Sequence, residues 1–204
     1  RFLNNFKLTY APTDWIELIA RVGLDNYSEE KTQFFTPGSA SGAFRTGLFE
    51  RELRRNSILN TDLIARATRR FNEHFNASLL VGFNYNERNS TVTRNEIVNF
   101  IQFADVAGGT RDINNALPEN RAVVSTTGET RKAAAYTELS LDLYDMFYVT
   151  GTLRSEASST FGSEADATFL FPSVSLAWQY HELIGFNQLT MGKLRVSYGE
   201  VGQE

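Results

Sequence analysis

The feature that most limits what this chain can become is a period of two in its hydrophobic residues, sustained over long runs and broken at short polar pivots. In "YTELSLDLYDMFYVTGTLR", Tyr136 to Arg154, Leu139, Leu141 and Leu143 take one parity, and Tyr136, Glu138, Ser140 and Asp142 the other. After a Tyr144-Asp145 pivot, Phe147, Val149 and Leu153 alternate with Tyr148, Thr150, Thr152 and Arg154. Successive strand side chains point to opposite faces, so the stretch reads as a two-faced hairpin. The question it poses is which solvent meets the apolar face.

The unit recurs along the chain. After a Pro12 to Asp14 pivot, Ile16, Leu18, Ala20, Val22 and Leu24 alternate with Glu17, Arg21 and Asp25. Around Asn72-Glu73-His74, Leu59, Leu63, Ala65 and Ala67 precede Phe75, Ala77, Leu79, Val81, Phe83 and Tyr85, with Asn76, Ser78, Gly82, Asn84 and Asn86 on the second strand's other face. Leu170, Val174, Leu176 and Trp178, then Leu194, Val196 and Tyr198, repeat the pattern near the end. The periodicity predicts about eight strands and an all-β fold.

The connections are unequal. Three are short pivots and a fourth, "HELIGFNQLTMG", is compact, whereas 28–57, 89–131 and 157–168 read as longer loops. Short and long alternate strictly, which puts all short turns at one end of the sheet, as in outer-membrane barrels. Aromatic residues flank the short turns: Tyr10 and Trp15, Phe71 and Phe75, Tyr144 and Phe147, Trp178 and Tyr180. Rings at one height beside the turns suit a lipid–water boundary, although aromatics also favour strands in general.

Charge decides what the other face needs. Glu17, Arg21, Asp25, Arg66, Glu138, Asp142, Arg154, Lys193 and Arg195 all lie on the polar parity. A Lys or Arg facing lipid at mid-bilayer costs about 2–4 kcal/mol, so these residues require a wet or internally paired interior. Arg66, Glu138, Asp142, Arg154, Lys193 and Arg195 are therefore expected to form a lumenal polar network. A soluble or surface-exposed β-sheet binding protein with a solvated face would show the same charges and differ in what covers the apolar face.

Composition narrows the classes further. Mean hydropathy is -0.30, and no stretch approaches a spanning helix, which leaves strands as the only route across a membrane. A net charge of -4 lacks the basic surplus of a nucleic-acid binder. Absence of cysteine excludes disulfides and thiolate chemistry. "RFLNNFKLTY" has neither a cationic nor an apolar region of a secretory signal.

"NTDL" at 60–63, "LVGFNYNER" at 80–88, "YVTGTLRSEASSTFG" at 148–162, "FPSVSLAW" at 171–178 and "GKLRVSYGEVGQE" at 192–204 resemble the barrel of SusC-like (RagA-like) TonB-dependent transporters of the Bacteroidetes outer membrane. The resemblance implies an antiparallel transmembrane β-barrel with 22 strands, of which residues 1–204 form an internal segment. Neither plug, TonB-contacting segment nor C-terminal barrel strand is recognisable in it. It further implies nutrient uptake of oligosaccharides or peptides, a SusD-like surface lipoprotein as partner, and energy from TonB-ExbB-ExbD through the plug.

Enzyme chemistry finds little footing, and no cofactor is expected. His74 and His181 have no companion at metal-ligand spacing. Glu138 and Asp142 resemble a glycosidase pair in type only, and Gly108-Gly109 lacks the Lys and helix of a phosphate loop. The remaining candidates are aromatic: Phe34, Phe35, Phe44, Phe49, Phe100 and Phe103 in the long extracellular loops are weak candidates for substrate or partner contact. Rings stack on sugars and anchor interfaces, and they also pack loops together. The run Arg51, Arg54, Arg55 reads as a solvated strand extension or a contact for anionic lipopolysaccharide.

Overall fold

The structure is a computed structural model that describes residues 1–40, 46–102, 111–160, 168–181 and 191–201. Its eight strands are β1 (Phe2–Thr13), β2 (Ile16–Phe35), β3 (Leu48–Asn72), β4 (Phe75–Val98), β5 (Arg121–Leu143), β6 (Phe147–Ser158), β7 (Thr168–Trp178) and β8 (Leu194–Gly199). They form one antiparallel sheet in sequence order, with β1 and β8 at its edges. Two 3-10 turns, Ile113–Asn115 and Pro118–Asn120, precede β5. Among the described residues, no helix is long and apolar enough to cross a membrane, a result that says nothing of strands.

Each of the three expected pivots is a turn, and 182–190 of the fourth connection lie outside the described residues. β1 continues through Thr13 and the chain reverses at Asp14 and Trp15, one residue later than the proline suggested, with the Ile16 amide donating to Thr13 Oγ1 at 3.2 Å. Glu73 and His74 join β3 to β4. At the third turn, Tyr144 and Asp145 have φ of 57° and 54°, the left-handed pair of a tight hairpin, closed by the Met146 amide on Leu143 O at 3.1 Å. A ring-bearing residue pays for that conformation. Its amide donates to His74 O at 2.7 Å and its ring stacks on His74 at 5.1 Å, which offsets the strain.

Two of the three long connections are shorter than expected, while the third falls between Ser158 and Thr168 as expected. β2 reaches Phe35, β3 starts at Leu48, β4 reaches Val98 and β5 starts at Arg121, so much of 28–57 and 89–131 is strand. These stretches lack a hydrophobic period, and cross-strand charge replaces it. Arg51 Nε lies 2.8 Å from Glu30 Oε1, and Arg94 spans Glu50 and Glu52 at 3.6 and 3.3 Å. Strands of 20 to 25 residues are about twice the 9–11 residues a tilted strand needs to cross a bilayer.

The chain divides into two compact units. One comprises residues 4–24, 59–87 and 130–204, the alternating parts of the strands. The other comprises residues 1–3, 25–58 and 88–129. Its core is Ile97, Phe100 and Ala116, with Phe34, Phe49 and Ile113 packed around them.

Candidate functional site

Register in β5 to β8 carries the alternation across four strands. Leu143, Phe147, Trp178 and Leu194 lie opposite one another in sequence, as do Leu141, Val149, Leu176 and Val196, and then Leu139, Gly151, Val174 and Tyr198. The rows between them read Asp142, Tyr148, Ala177, Arg195, then Ser140, Thr150, Ser175, Ser197, then Glu138, Thr152, Ser173, Gly199. Leu139, Val174, Leu176, Val196 and Tyr198 are exposed, whereas Thr150, Thr152, Ser173 and Ser175 are half-buried. In β1 to β4, Leu8, Leu18, Ala20, Leu63, Ala65 and Val81 line an open apolar groove of about 590 Å³, where alanines sit between larger side chains. An apolar surface this extensive needs a cover in water and none in lipid.

The aromatic residues of the turn end touch in chains. Phe71 stacks on Phe75 at 5.1 Å, Phe147 on Trp178 at 5.9 Å, and Trp178 meets Tyr180 edge-on at 5.9 Å. Tyr10 and Trp15 are exposed. Sequence reasoning missed the His74–Tyr144 stack, because the two residues belong to different hairpins.

The polar parity is a set of local pairs. Arg66 reaches Glu17 at 3.5 Å, Arg154 holds Glu156 at 2.7 Å and lies 5.9 Å from the Tyr136 ring, and Lys193 Nζ sits 5.4 Å over Tyr148. Ser140 Oγ is 3.4 Å from Glu138, Arg195 lies opposite Ala177, and Asp142 Oδ1 is buried with no hydrogen-bond partner. Among the described residues, no two of Arg66, Glu138, Asp142, Arg154, Lys193 and Arg195 form an ion pair with each other. Glu138 and Asp142 stand four residues apart on one strand, roughly 13 Å, wider than the ~9.5 Å limit for paired glycosidase carboxylates.

The stronger polar cluster is elsewhere. Asn84 Nδ2 donates to Asp62 Oδ1 at 2.7 Å and Asn60 Oδ1 at 3.2 Å, Asn86 reaches Asn60 at 3.4 Å, and Arg21 approaches Asp62 at 3.5 Å. Its signal in the sequence is the run of Asn and Asp at even positions of β3 and β4. Gly82 has a structural reason: a Cβ there would fall 2.2 Å from the Tyr136 ring.

Three of the phenylalanines expected in loops lie in strands. Phe34 and Phe35 end β2, Phe49 is in β3, and Phe100 follows β4, while Phe44 and Phe103 lie outside the described residues. Phe34 stacks on Phe100 at 5.9 Å, and Arg111, which sequence reasoning did not single out, places its guanidinium 4.8 Å over Phe34. Phe100 is buried at 4% exposure, so it belongs to a packing core. Nearby, hydrogen bonding from Arg94 holds the Glu52 carboxyl below its usual pKa, and the Glu30 carboxylate holds the Arg51 guanidinium above its own. The two histidines are engaged in contacts: His74 stacks on Tyr144, and His181 Nδ1 lies 3.2 Å from Gly192 O.

Residues 1–203 match the sequence profile of the TonB dependent receptor-like β-barrel family. The chain belongs to that family. Three solved structures resemble this TonB-dependent receptor barrel over nearly its whole length. They are the RagAB peptide transporter (TM-score 0.81, 18% identity, 97% of this chain, 22% of that chain) and the RagAB peptide importer in its open-open (0.78, 18%, 96%, 21%) and closed-closed (0.78, 18%, 97%, 22%) states. The chain thus spans about a fifth of the length of those proteins. No curated protein matches it by sequence. At this identity the likeness establishes the fold, and the open sheet of this TonB-dependent receptor corresponds to part of a barrel.

Proposed function

We propose that this chain is a wall segment of an outer-membrane importer, with lipid against its apolar rows and a polar lumen against the other parity. The family match over 1–203 carries the reading. The exposed leucine and valine rows support it, because they are solvated in a bilayer without any covering domain. The apolar edges support a larger barrel: Phe6 and Leu8 on β1, and Val196 on β8, are 65%, 55% and 63% exposed, and bare edge strands of this kind require a neighbour.

In this reading Arg66, Glu138, Asp142, Arg154, Lys193 and Arg195 face the lumen, each held by a local contact or by lumenal water. A SusD-like lipoprotein would cap the barrel, TonB-ExbB-ExbD would act through the plug, and oligosaccharides or peptides would be carried. The RagAB structures, described as a peptide transporter and importer, favour peptides as the first substrate to try. The test is uptake by cells carrying the full-length parent chain, using labelled oligopeptides and oligosaccharides of matched mass, with and without TonB. TonB-dependent uptake of one class supports the reading and names the substrate. Uptake of neither, from a chain that extracts without detergent, overturns it.

A further inference from the structure

The carboxamide row on β3 and β4 has hydrogen-bonding atoms left over. Asn84 Nδ2 is engaged, donating to Asp62 Oδ1 at 2.7 Å, Asn60 Oδ1 at 3.2 Å and Thr61 O at 3.3 Å, and Asn86 Nδ2 donates to Asn60 Oδ1 at 3.4 Å. Among the described residues, Asn84 Oδ1 and Asn86 Oδ1 accept no hydrogen bond and Asn60 Nδ2 donates none. All three side chains are half-buried. A half-satisfied amide in such a place gains from one further partner, because each carboxamide carries two acceptor and two donor positions.

Charge and spacing define what fits. Arg21 lies 3.5 Å from Asp62 and Arg66 lies 3.5 Å from Glu17, so the formal charges around the row cancel and a neutral ligand is favoured. Asn84 and Asn86 are two residues apart on one face of β4, which repeats their carboxamides at roughly 6.8 Å. An extended peptide turns its N–H groups to one side at that same two-residue interval. A saccharide hydroxyl both donates and accepts, so it has no need of a fixed order of oxygens and nitrogens. The row is also open on its β2 side, where Gly23 has no side chain to stand between Asn5 and Asn60. Asn84 comes nine residues after Phe75, roughly 30 Å along β4. That is about one bilayer crossing, so the row lies at the end of the crossing away from the short turns.

We infer that this row binds the main chain of an extended, uncharged stretch of oligopeptide, with Asn84 Oδ1 and Asn86 Oδ1 accepting main-chain N–H groups and Asn60 Nδ2 donating to a main-chain carbonyl. The inference rests on the import reading and deepens it: the recognised group is the peptide backbone, which admits cargo of differing sequence.

The experiment uses the full-length parent protein in phosphatidylcholine nanodiscs. The probe is an acetylated, amidated decapeptide of alternating glycine and serine with one central diazirine side chain, compared with the same peptide N-methylated at alternate residues. N-methylation removes N–H donors and adds no charge. Wild type is expected to bind the unmethylated probe about tenfold more tightly, the scale of one or two neutral hydrogen bonds. Irradiation is expected to label 56–66 and 71–88, the tryptic fragments that hold the row. Asn84→Leu and Asn86→Leu, the latter giving up only one internal bond of 3.4 Å, are expected to lose both the preference and the label. Asn76→Leu, at the turn end of the same face, is expected to keep them. Equal binding of the two probes by wild type, labelling confined to other parts of the parent, or an unchanged preference in both row variants overturns the inference. A cello-oligosaccharide of matched mass that displaces the probe with equal affinity overturns the peptide assignment. Heat-modifiable migration reports assembly of each variant separately, and TonB-dependent uptake by a wild type that is not labelled at the row leaves the transport reading standing.

Discussion

The two compact units of this chain solve the same strand problem by different means. In the unit containing β6, β7 and β8, order comes from alternation: rows of exposed and half-buried apolar side chains such as Leu141, Val149, Leu176 and Val196 alternate with rows such as Ser140, Thr150, Ser175 and Ser197. In the unit containing 25–58 and 88–129, alternation is absent, and the strands are joined by Arg–Glu pairs and closed around Ile97 at 1% exposure. The first arrangement leaves apolar side chains uncovered, which lipid tolerates and water does not. The second buries a small apolar cluster as water-soluble domains do. The two differ because the sign of the hydrophobic effect at a surface leucine depends on the solvent beside it.

That contrast is breakable. The largest effect is expected from Leu141→Arg, in the row with Val149, Leu176 and Val196. Placing the charge in lipid costs about 2–4 kcal/mol, and heat-modifiable migration of membrane fractions should show assembly lost, while Ser140→Arg in the neighbouring polar row assembles. Equal behaviour of the two would remove the lipid-face assignment. Val81→Arg should act like Leu141→Arg, but Gly82 is not a neutral control for it, since any side chain there meets the Tyr136 ring.

Next comes Ile97→Ala, expected to cost about 2–4 kcal/mol as a core truncation. Hydrogen exchange should rise in Ile113–Asn115 and leave the β6–β7 ladder protected, showing that the cluster stabilises its own unit. Loss of protection throughout would make the two units one cooperative body. Gly82→Ala should cost about 1–3 kcal/mol through overpacking, with much of it recovered in the Gly82→Ala, Tyr136→Ala double variant. Additive losses in that cycle would show that ring and glycine are not coupled.

The smallest effect is a pH dependence. Because Glu52 has a depressed pKa, its pairing with Arg94 contributes fully above the unfolded carboxylate value, near pH 4.5, and is lost as pH falls through the folded one. Local protection of β3 near Glu52 should therefore fall below about pH 4, and Glu52→Gln should abolish that dependence.

Much of the molecule was legible in the residue order. Period two names strands without ambiguity when it runs as long as Ile16 to Leu24 or Phe75 to Tyr85, and the polar pivots located the turns to within a residue. The extensions of β2 to Phe35 and β4 to Val98 were not legible, because cross-strand pairs such as Arg51–Glu30 leave no period within a single strand. Pairing among the polar residues was not legible for a related reason. Parity placed Glu138, Asp142 and Arg154 on one face, but contact also depends on register, which pairs Arg154 with Tyr136 and Asp142 with Tyr148.

The sequence by itself thus determined the all-β class, the two-faced strands and the turn end, since these depend only on neighbours a few residues apart. Tertiary structure alone decided which rows align into a continuous apolar surface, that Asn84 bonds Asp62 and Asn60, that Phe100 is core, and that Tyr136 covers Gly82. Those outcomes depend on the stagger between strands, and a shift of one residue would exchange the apolar parity of a strand for its polar one.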